Sequence, residues 1–204
     1  MFFPNLTAEK NLWSKGLPNV VGIDEVGRGS WAGPLVAAGV ILPRNFKIPD
    51  GFGDSKQISA KLRLEFSGLL KTTAVCYSIV EIRHTIINKV GIGTATQIAF
   101  RKIVKQLNPP ADFILVDAFH IKYLPQSKQA AIKHGDQISA SIAAASIIAK
   151  VYRDKLMKNL STKYPAYGFQ SNKGYGTKMH QGAIQKYGFC NIHRTSYNLN
   201  YLFP

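Results

Sequence analysis

The chain has 204 residues, of which 46% are hydrophobic and 11% aromatic. This composition supplies the core of one domain, with room for a small appendage, and excludes an intrinsically disordered protein. Lysine and arginine number 26 against 11 acidic residues, which gives a formal net charge of +15. Such an excess favours a polyanionic partner such as nucleic acid, because basic side chains displace the counterions of phosphates.

The cysteine content and the apolar stretches exclude other classes. Cys76 and Cys190 match neither a metal or redox motif nor a disulfide framework, as expected for a reducing compartment. The longest apolar stretch, residues 34–43, is too short to cross a bilayer, and the N-terminus lacks the apolar core of a signal peptide. We therefore expect a soluble, cytoplasmic, monomeric protein without a membrane partner.

Strands alternate with helices along the chain, which predicts an α/β fold. Residues 1–18 are predicted to be irregular. The predicted strands, from apolar and β-branched runs, are 19–23, 35–42, 74–82 and 113–116. The predicted helices, from helical apolar spacing and N-terminal capping residues, are 59–71, 94–107, 139–160 and 177–186. We assign residues 19–163 to the core and 164–204 to a smaller C-terminal extension of helices and loops.

The few acidic residues lie at informative positions. Asp24 and Glu25 follow an apolar strand, Asp117 ends another, and Asp136 comes just before the long alanine-rich helix. Sites in open α/β sheets lie at the carboxyl ends of strands, so these four carboxylates can meet there. Oxygen-only ligands suit Mg²⁺ or Mn²⁺, and two such ions roughly 4 Å apart can support phosphodiester cleavage.

Each carboxylate also has a purely structural interpretation. Asp136 can cap a helix, Asp117 can start a turn, and Asp24 and Glu25 can form a solvated strand end. Neighbouring side chains of a strand point to opposite faces, so a shared site requires the strand to end or bulge at Asp24 and Glu25. The glycines of the following Gly27-Arg28-Gly29 segment make such a distortion plausible.

At this point the sequence resembles the type 2 ribonucleases H, in particular the bacterial ribonuclease HII family. The matching motifs run in the family's order from residue 20 to about 197. They are Gly22-Ile23-Asp24-Glu25-Val26-Gly27-Arg28-Gly29, Ala32-Gly33-Pro34, Asp54-Ser55-Lys56, Leu115-Val116-Asp117, Gly135-Asp136, the segment 141–151 with Arg153-Asp154, Asn172-Lys173-Gly174-Tyr175-Gly176-Thr177 with His180, and His193-Arg194.

The resemblance implies a ribonuclease H-like mixed sheet flanked by helices, with a small C-terminal helical extension. It implies cleavage of RNA in RNA–DNA hybrids and at single ribonucleotides embedded in duplex DNA, 5′ to the ribonucleotide. The products would carry 3′-hydroxyl and 5′-phosphate ends. By the same resemblance Asp24, Glu25, Asp117 and Asp136 are the metal-binding catalytic residues, with Asp24 bridging two Mg²⁺ or Mn²⁺ ions.

The resemblance also implies a set of substrate contacts. The Gly27-Arg28-Gly29 backbone would read the 2′-hydroxyl, which distinguishes RNA from DNA, and Tyr175 would pack against the next sugar. Ser55, Lys56 and Lys173 would contact phosphate, although such lysines are often only solvated and a tyrosine can simply be half-buried. His180 and His193 have no neighbouring carboxylate pair in sequence, so we interpret both as structural.

Three departures from the family pattern affect fine specificity. Ser30-Trp31 stands where Pro-Leu is frequent, Ala118 where Gly is common, and Tyr197 where Phe is frequent. Ala118 would be unfavourable only if the position required a positive φ. The peptide Tyr201-Leu202-Phe203 fits a sliding-clamp ligand and fits docking on the domain equally well.

Two alternative functions remain open at the level of sequence. One is an activity like that of ribonuclease HIII, which prefers longer RNA tracts. The other is a module that binds duplexes without cutting them, in which the carboxylates serve only as caps and turns.

Overall fold

A computed structural model describes residues 3–53, 55 and 58–202, and in this part of the chain five strands form one mixed sheet. Their order across the sheet is β3-β2-β1-β4-β5. The inner strand β1 pairs antiparallel with β2 and parallel with β4, and β5 continues the parallel half. The bounds are β1 Val20–Val26, β2 Leu35–Ile41, β3 Cys76–Ile82, β4 Phe113–Asp117 and β5 Gln129–Ile132. The predicted mixed α/β sheet is confirmed.

Six α-helices accompany the sheet in the described part of the chain. They are α1 Thr7–Trp13, α2 Ala60–Thr73, α3 His84–Gln106, α4 Ala140–Lys163, α5 Phe169–Asn172 and α6 Lys178–Tyr187. Ser59, Ser139 and Thr177 each accept a backbone N–H from the first turn of α2, α4 and α6. These caps satisfy donors that the helix itself leaves free, and the three predicted helices begin beside them.

The helices cover both faces of the sheet. The alanine-rich start of α4 packs on β1 and β2, with α2 behind it, while α3 covers the opposite face. The approach of α4 depends on Gly22, where an added Cβ would lie 2.1 Å from the carbonyl carbon of Ser141. Close packing of α4 therefore fixes the side chains of this helix against the end of β1.

Three elements differ from the sequence predictions. The predicted irregular segment 1–18 contains helix α1, whose Glu9 is buried and accepts hydrogen bonds from Ser139 Oγ and Ser141 N. Helix α3 begins at His84 rather than residue 94, because the non-helical Gly91 (φ 77°) interrupts its periodicity. Strand β5 was not predicted, since it is a short edge strand that is mostly half-buried.

The C-terminal extension packs against the core through a separate apolar cluster. Ala32 and Met157 from the core contact Tyr167, Phe169 and Ile184 from the extension in this cluster. The boundary at residue 164 remains a prediction. Within the described residues, no helix combines the length and the apolar character needed to span a bilayer.

Candidate active site

The carboxyl ends of β1 and β4 bring two predicted ligands side by side. Register pairs Ile23 of β1 with Val116 of β4, so the next residues, Asp24 and Asp117, are neighbours across parallel strands. Asp24 is only 5% exposed and faces α4. The convergence expected from the sequence is therefore realised for this pair.

The pKa of Asp24 is raised well above its usual value. Burial is the main cause, followed by the charges of Glu25 and Asp117. Hydrogen bonds from the Glu25 N–H, at 2.7 Å, and from the Ser146 hydroxyl act in the opposite direction. Ser146 in turn contacts the hydroxyl of Ser55 at 2.9 Å. Asp24 thus lies in a position where a negative charge is disfavoured until a cation balances it.

Asp117 is tied to the loop that carries Asp136. Its Oδ1 accepts the N–H of Gly135 at 2.7 Å, and Asp136 follows in a buried 3₁₀ turn. An added Cβ on Gly135 would lie 2.6 Å from Ile142 Cδ1 and 3.3 Å from that oxygen, so the close approach favours glycine. Ala118, directly after Asp117, has a φ of 62°, the conformation in which the family's usual glycine is unstrained.

Glu25 borders the site without the distortion that we expected from the sequence. The pairing of β1 with β2 runs unbroken from Val21 to Val26, so the expected strand end or bulge is wrong. Instead, pairing with β4 stops beside Asp24, which leaves that edge of β1 open. Glu25 contacts Arg28 at 3.9 Å between Oε1 and Nη1, and both residues border the same cavity as Asp24.

That cavity, which we call the active-site cavity, has a volume of about 420 Å³. Its lining combines the acidic strand end, the glycine turn and polar side chains of other segments. The lining residues are Asp24, Glu25, Val26, Gly27, Arg28, Gly29, Ser55, Ser146, Lys150 and Tyr175. Asp117 and Asp136 lie outside this lining, and within the described residues no three acidic, histidine or cysteine side chains converge closely enough to hold an ion as they stand.

The backbone of the Gly27-Arg28-Gly29 turn is held in place by Arg153, Arg194 and Tyr197. Gly27 has a φ of 88°, and an added Cβ there would lie 2.0 Å from Arg153 Nε. The carbonyl of Arg28 accepts hydrogen bonds from Arg194 Nη1, at 2.9 Å, and from the Tyr197 hydroxyl. Because the C=O and N–H of a trans peptide point in opposite directions, the N–H of Gly29 is turned away from these donors. Gly29 is exposed, and an added Cβ there would meet nothing within 4 Å.

Arg153 on α4 joins the glycine turn to the loop of Tyr175. Its fully buried guanidinium donates to the carbonyls of Pro34 and Lys173 and to Ser30 Oγ, at 2.7–3.0 Å. Burial lowers its pKa to about 10, which leaves it charged at neutral pH. Its Cζ lies 5.5 Å from the ring centroid of Tyr175, so one cation fixes both predicted recognition segments.

The backbone of Tyr175 is held by a chain of neutral histidines. His193 Nδ1 lies 2.8 Å from the Cys190 N–H, the two Nε2 atoms of His193 and His180 are 3.0 Å apart, and His180 Nδ1 lies 3.0 Å from the Tyr175 carbonyl. We assign His193 Nε2–H and His180 Nδ1–H as the donors, because one proton per ring then satisfies the Cys190 N–H, the contact between the two rings and the Tyr175 carbonyl. In this assignment the Cys190 carbonyl, 3.1 Å from His193 Nδ1, receives no proton from the ring. Burial lowers the pKa of both rings, to about 4 for His193.

The predicted phosphate contacts have mixed outcomes. Ser55 lies at the active-site cavity, although its hydroxyl is buried against Ser146. Lys56 lies outside the described residues. Lys173 does not line the cavity, and its ammonium group donates to the carbonyl of Gln170.

Sequence reasoning missed two residues of this cavity, Ser146 and Lys150. Both lie in the segment 141–151 that resembles the family, but neither was predicted as a site residue. Their spacing of four residues puts them on one face of α4, so two polar residues one turn apart were the available signal. Lys150 Nζ also pairs with Asp154 at 2.8 Å, which holds its charge near the cavity.

Solved structures with a similar architecture include a ribonuclease H2, a ribonuclease HII and a ribonuclease HIII. The ribonuclease H2 of Pyrococcus horikoshii superposes with a TM-score of 0.74 at 24% identity, over 88% of this chain and 94% of that one. Ribonuclease HII from a complex with PCNA of Archaeoglobus fulgidus gives 0.75 at 22% identity, over 89% and 96%. Bst-RNase HIII in complex with Mn²⁺ gives 0.65 at 19% identity, over 90% and 68%. These likenesses establish the ribonuclease H-like fold.

Sequence comparison is more specific. The family model of ribonuclease HII matches residues 21–200. Ribonuclease HII of Listeria innocua is 46% identical over 93% of this chain and 72% of its own length. That of Ruminiclostridium cellulolyticum is 44% identical over 97% and 76%. The chain belongs to the ribonuclease HII family and is a metal-dependent endoribonuclease acting on RNA–DNA hybrids, so the binding-only alternative is set aside.

Proposed function

We propose that this endoribonuclease cleaves on the 5′ side of a ribonucleotide, including a single one embedded in duplex DNA. The products carry 3′-hydroxyl and 5′-phosphate ends. Asp24, Glu25, Asp117 and Asp136 would hold two divalent ions, Mg²⁺ or Mn²⁺, and Asp24 would be a ligand to both. The supporting observation is that Asp24, buried and repelled by Glu25 and Asp117, borders the same cavity as the glycine turn.

The donor set fits hard divalent cations. All four side chains offer oxygen, which Mg²⁺ and Mn²⁺ prefer. The chain has a net charge of +15, and the cations Arg28 and Lys150 line the same cavity as Asp24 and Glu25. Bound there, such ions activate a water molecule and stabilise the leaving oxygen. Burial, followed by the charges of Glu25 and Asp117, raises the pKa of Asp24, and a bound cation would favour its charged form.

Recognition of the ribonucleotide rests on groups of this chain. The Gly29 N–H, directed away from Arg194 and Tyr197, is positioned to donate to a 2′-hydroxyl. The ring of Tyr175, 36% exposed at the cavity, offers a flat surface to the following sugar. A deoxyribose lacks the 2′-hydroxyl acceptor, so DNA loses this hydrogen bond at the site of cleavage.

The test uses two labelled duplexes, one with a single embedded ribonucleotide and one with a continuous RNA–DNA hybrid. Wild-type protein with Mg²⁺ or Mn²⁺ should cut both, and product mapping should place the first cut 5′ to the lone ribonucleotide. Asp117→Asn should cut neither. Asp112→Asn is the matched control, because Asp112 precedes the opposite end of β4, where it accepts the Asn19 N–H at 2.8 Å.

Two results would contradict the proposal. Cleavage by Asp117→Asn at the wild-type rate would remove Asp117 from the site. A requirement for a long RNA tract, with the single ribonucleotide left intact, would favour the ribonuclease HIII-like alternative.

A further inference from the structure

A second groove lies next to the active-site cavity, on the other side of Arg28. It has a volume of about 520 Å³ and lies between α3 and the loop that follows β4. Its lining carries three constitutively charged cations and two aromatic rings but no acidic residue. These are Arg28, Arg101, Lys122, Phe119 and Tyr123. We call this feature the basic groove.

The basic groove is continuous with the active site at two points. Arg28 lines both it and the active-site cavity. Ala118, which also lines the groove, directly follows the predicted ligand Asp117. A polymer whose scissile bond lies at the carboxylates can therefore pass from one to the other without crossing an acidic surface.

The loop that forms one wall is held in place by two glutamines. Gln97 of α3 accepts the Lys122 N–H at 2.7 Å and donates to the His120 carbonyl at 3.0 Å. From the other side, Gln129 accepts the Ile121 N–H at 2.7 Å and donates to the Ile121 carbonyl at 3.0 Å. Because its backbone is anchored from both sides, the groove is preformed.

The aromatic rings of the groove are exposed and face guanidinium groups. Phe119 is 44% exposed, with Arg28 Cζ 4.5 Å from its centroid, and Tyr123 is 89% exposed, with Arg101 Cζ 5.4 Å away. A guanidinium stacked on a ring keeps its edge N–H groups free for phosphate. Exposed aromatics interleaved with cations are typical of surfaces that bind nucleic acid.

We propose that the basic groove binds the sugar-phosphate backbone of the substrate duplex beyond the cleavage site, through Arg101 and Lys122. The inference rests on the proposed function, since it takes the carboxylate cluster as the place of the scissile bond. The groove extends the contact with the duplex and does no chemistry. If the groove binds the duplex in this way, the affinity of the protein for its substrate depends on the length of the duplex on one side of the ribonucleotide.

The test compares Arg101→Ala, Lys122→Ala and the double variant with Lys105→Ala. Lys105 is the matched control, because it is an exposed cation on α3 that does not line the groove. Each variant is tested on three duplexes that contain one ribonucleotide. The first is long on both sides of the ribonucleotide, and each of the other two is shortened on one side to about half a helical turn, roughly five base pairs. The readouts are KM, kcat and the salt dependence of binding.

On the long duplex, the double variant should raise KM about five- to tenfold with kcat unchanged. A plot of the logarithm of the binding constant against the logarithm of the salt concentration should become shallower by about one for each cation removed. On the duplex trimmed on the groove side, the double variant should match wild type.

Three outcomes would overturn the inference. The first is a double variant with the same KM as Lys105→Ala on the long duplex. The second is an equal rise in KM on the long duplex and on both trimmed duplexes. The third is a salt dependence of binding that does not differ from wild type. In each case wild-type cleavage at the ribonucleotide would still support the proposed function, so the two failures are distinguishable.

Discussion

The two halves of the active site are stabilised in opposite ways. At the ends of β1 and β4, negative charges gather: Asp24 is buried beside Glu25 and near Asp117, and its pKa is raised in consequence. On the proposed recognition side, around the glycine turn and Tyr175, buried Arg153 and Arg194 donate to backbone carbonyls at 2.9–3.3 Å and form a scaffold of neutral and cationic groups.

The contrast shows how the site divides its tasks. The carboxylate half is buried and strained by like charges, so we expect its arrangement to depend on the cations that it is proposed to bind. The recognition half is rigid through its own hydrogen bonds, so the glycine turn and Tyr175 are in position before substrate arrives. Substitutions should therefore have opposite effects on stability in the two halves.

The largest effect is expected for Asp24→Asn. Losing a ligand to the ions should reduce cleavage by about a thousandfold or more, since metal stabilisation of the transition state is worth several kcal/mol. The same change removes a buried, repelled charge, so the metal-free protein should gain about 1 kcal/mol in the free energy of unfolding. Urea unfolding and single-turnover cleavage measure the two effects. A destabilised Asp24→Asn protein would contradict the charge-repulsion account.

In the recognition half, Arg153→Met should lower the free energy of unfolding by about 3 kcal/mol. The carbonyls of Pro34 and Lys173 and the Ser30 hydroxyl would lose their buried donor. Chemical denaturation measures the loss, and Lys155→Met, on the exposed side of the same helix, is the control. If both variants were equally stable, the buried guanidinium would not be the link between the two segments.

The histidine chain predicts an acid-sensitive recognition half. Folded His193 has a pKa lowered from 6.5 to about 4, so the unfolded chain takes up a proton below pH 6.5 that the folded chain takes up only near pH 4. Stability from this group is therefore fully present above pH 6.5 and is lost as the pH falls toward 4. In this range the free energy of unfolding falls by up to about 1.4 kcal/mol for each unit by which the pH is lowered. Denaturation at several pH values should show a shallower slope in His193→Gln and an unchanged one in His120→Gln, an exposed position.

The smallest effect belongs to Ala118→Gly. With φ at 62°, alanine is strained where glycine is not, so the change should stabilise the protein by up to about 1 kcal/mol. Thermal unfolding measures the gain, and Ala111→Gly, at a half-buried position without positive φ, should instead be neutral or destabilising. A loss of stability in Ala118→Gly would show that packing of the methyl group outweighs the backbone strain.

The features that sequence could predict are those with local signals. Ser59, Ser139 and Thr177 act as helix caps within their own neighbourhoods, and apolar runs predict the strands that carry Asp24 and Asp117. The proximity of these two carboxylates followed from a general rule on strand ends, and the parallel pairing of β1 with β4 bears it out.

Features that depend on distant partners were not predictable. Helix α1 is stabilised by its packing and by contacts of Glu9 with Ser139 and Ser141, about 130 residues away, whereas the prediction for residues 1–18 rested on Pro4, Gly16 and Pro18. The polar roles of Ser146 and Lys150 depend on which side of α4 meets the end of β1. Likewise the buried positions of Arg153 and Arg194 follow from the docking of the extension, because a lone arginine on a helix is ordinarily solvated.

The most direct test of the account counts bound ions. Mn²⁺ is titrated into protein saturated with a duplex whose scissile phosphate cannot be cleaved, and free Mn²⁺ is followed by electron paramagnetic resonance. The account predicts two bound ions in wild type and the loss of at least one in Asp24→Asn, with Asp112→Asn unchanged. Two ions bound with wild-type affinity by Asp24→Asn would contradict it.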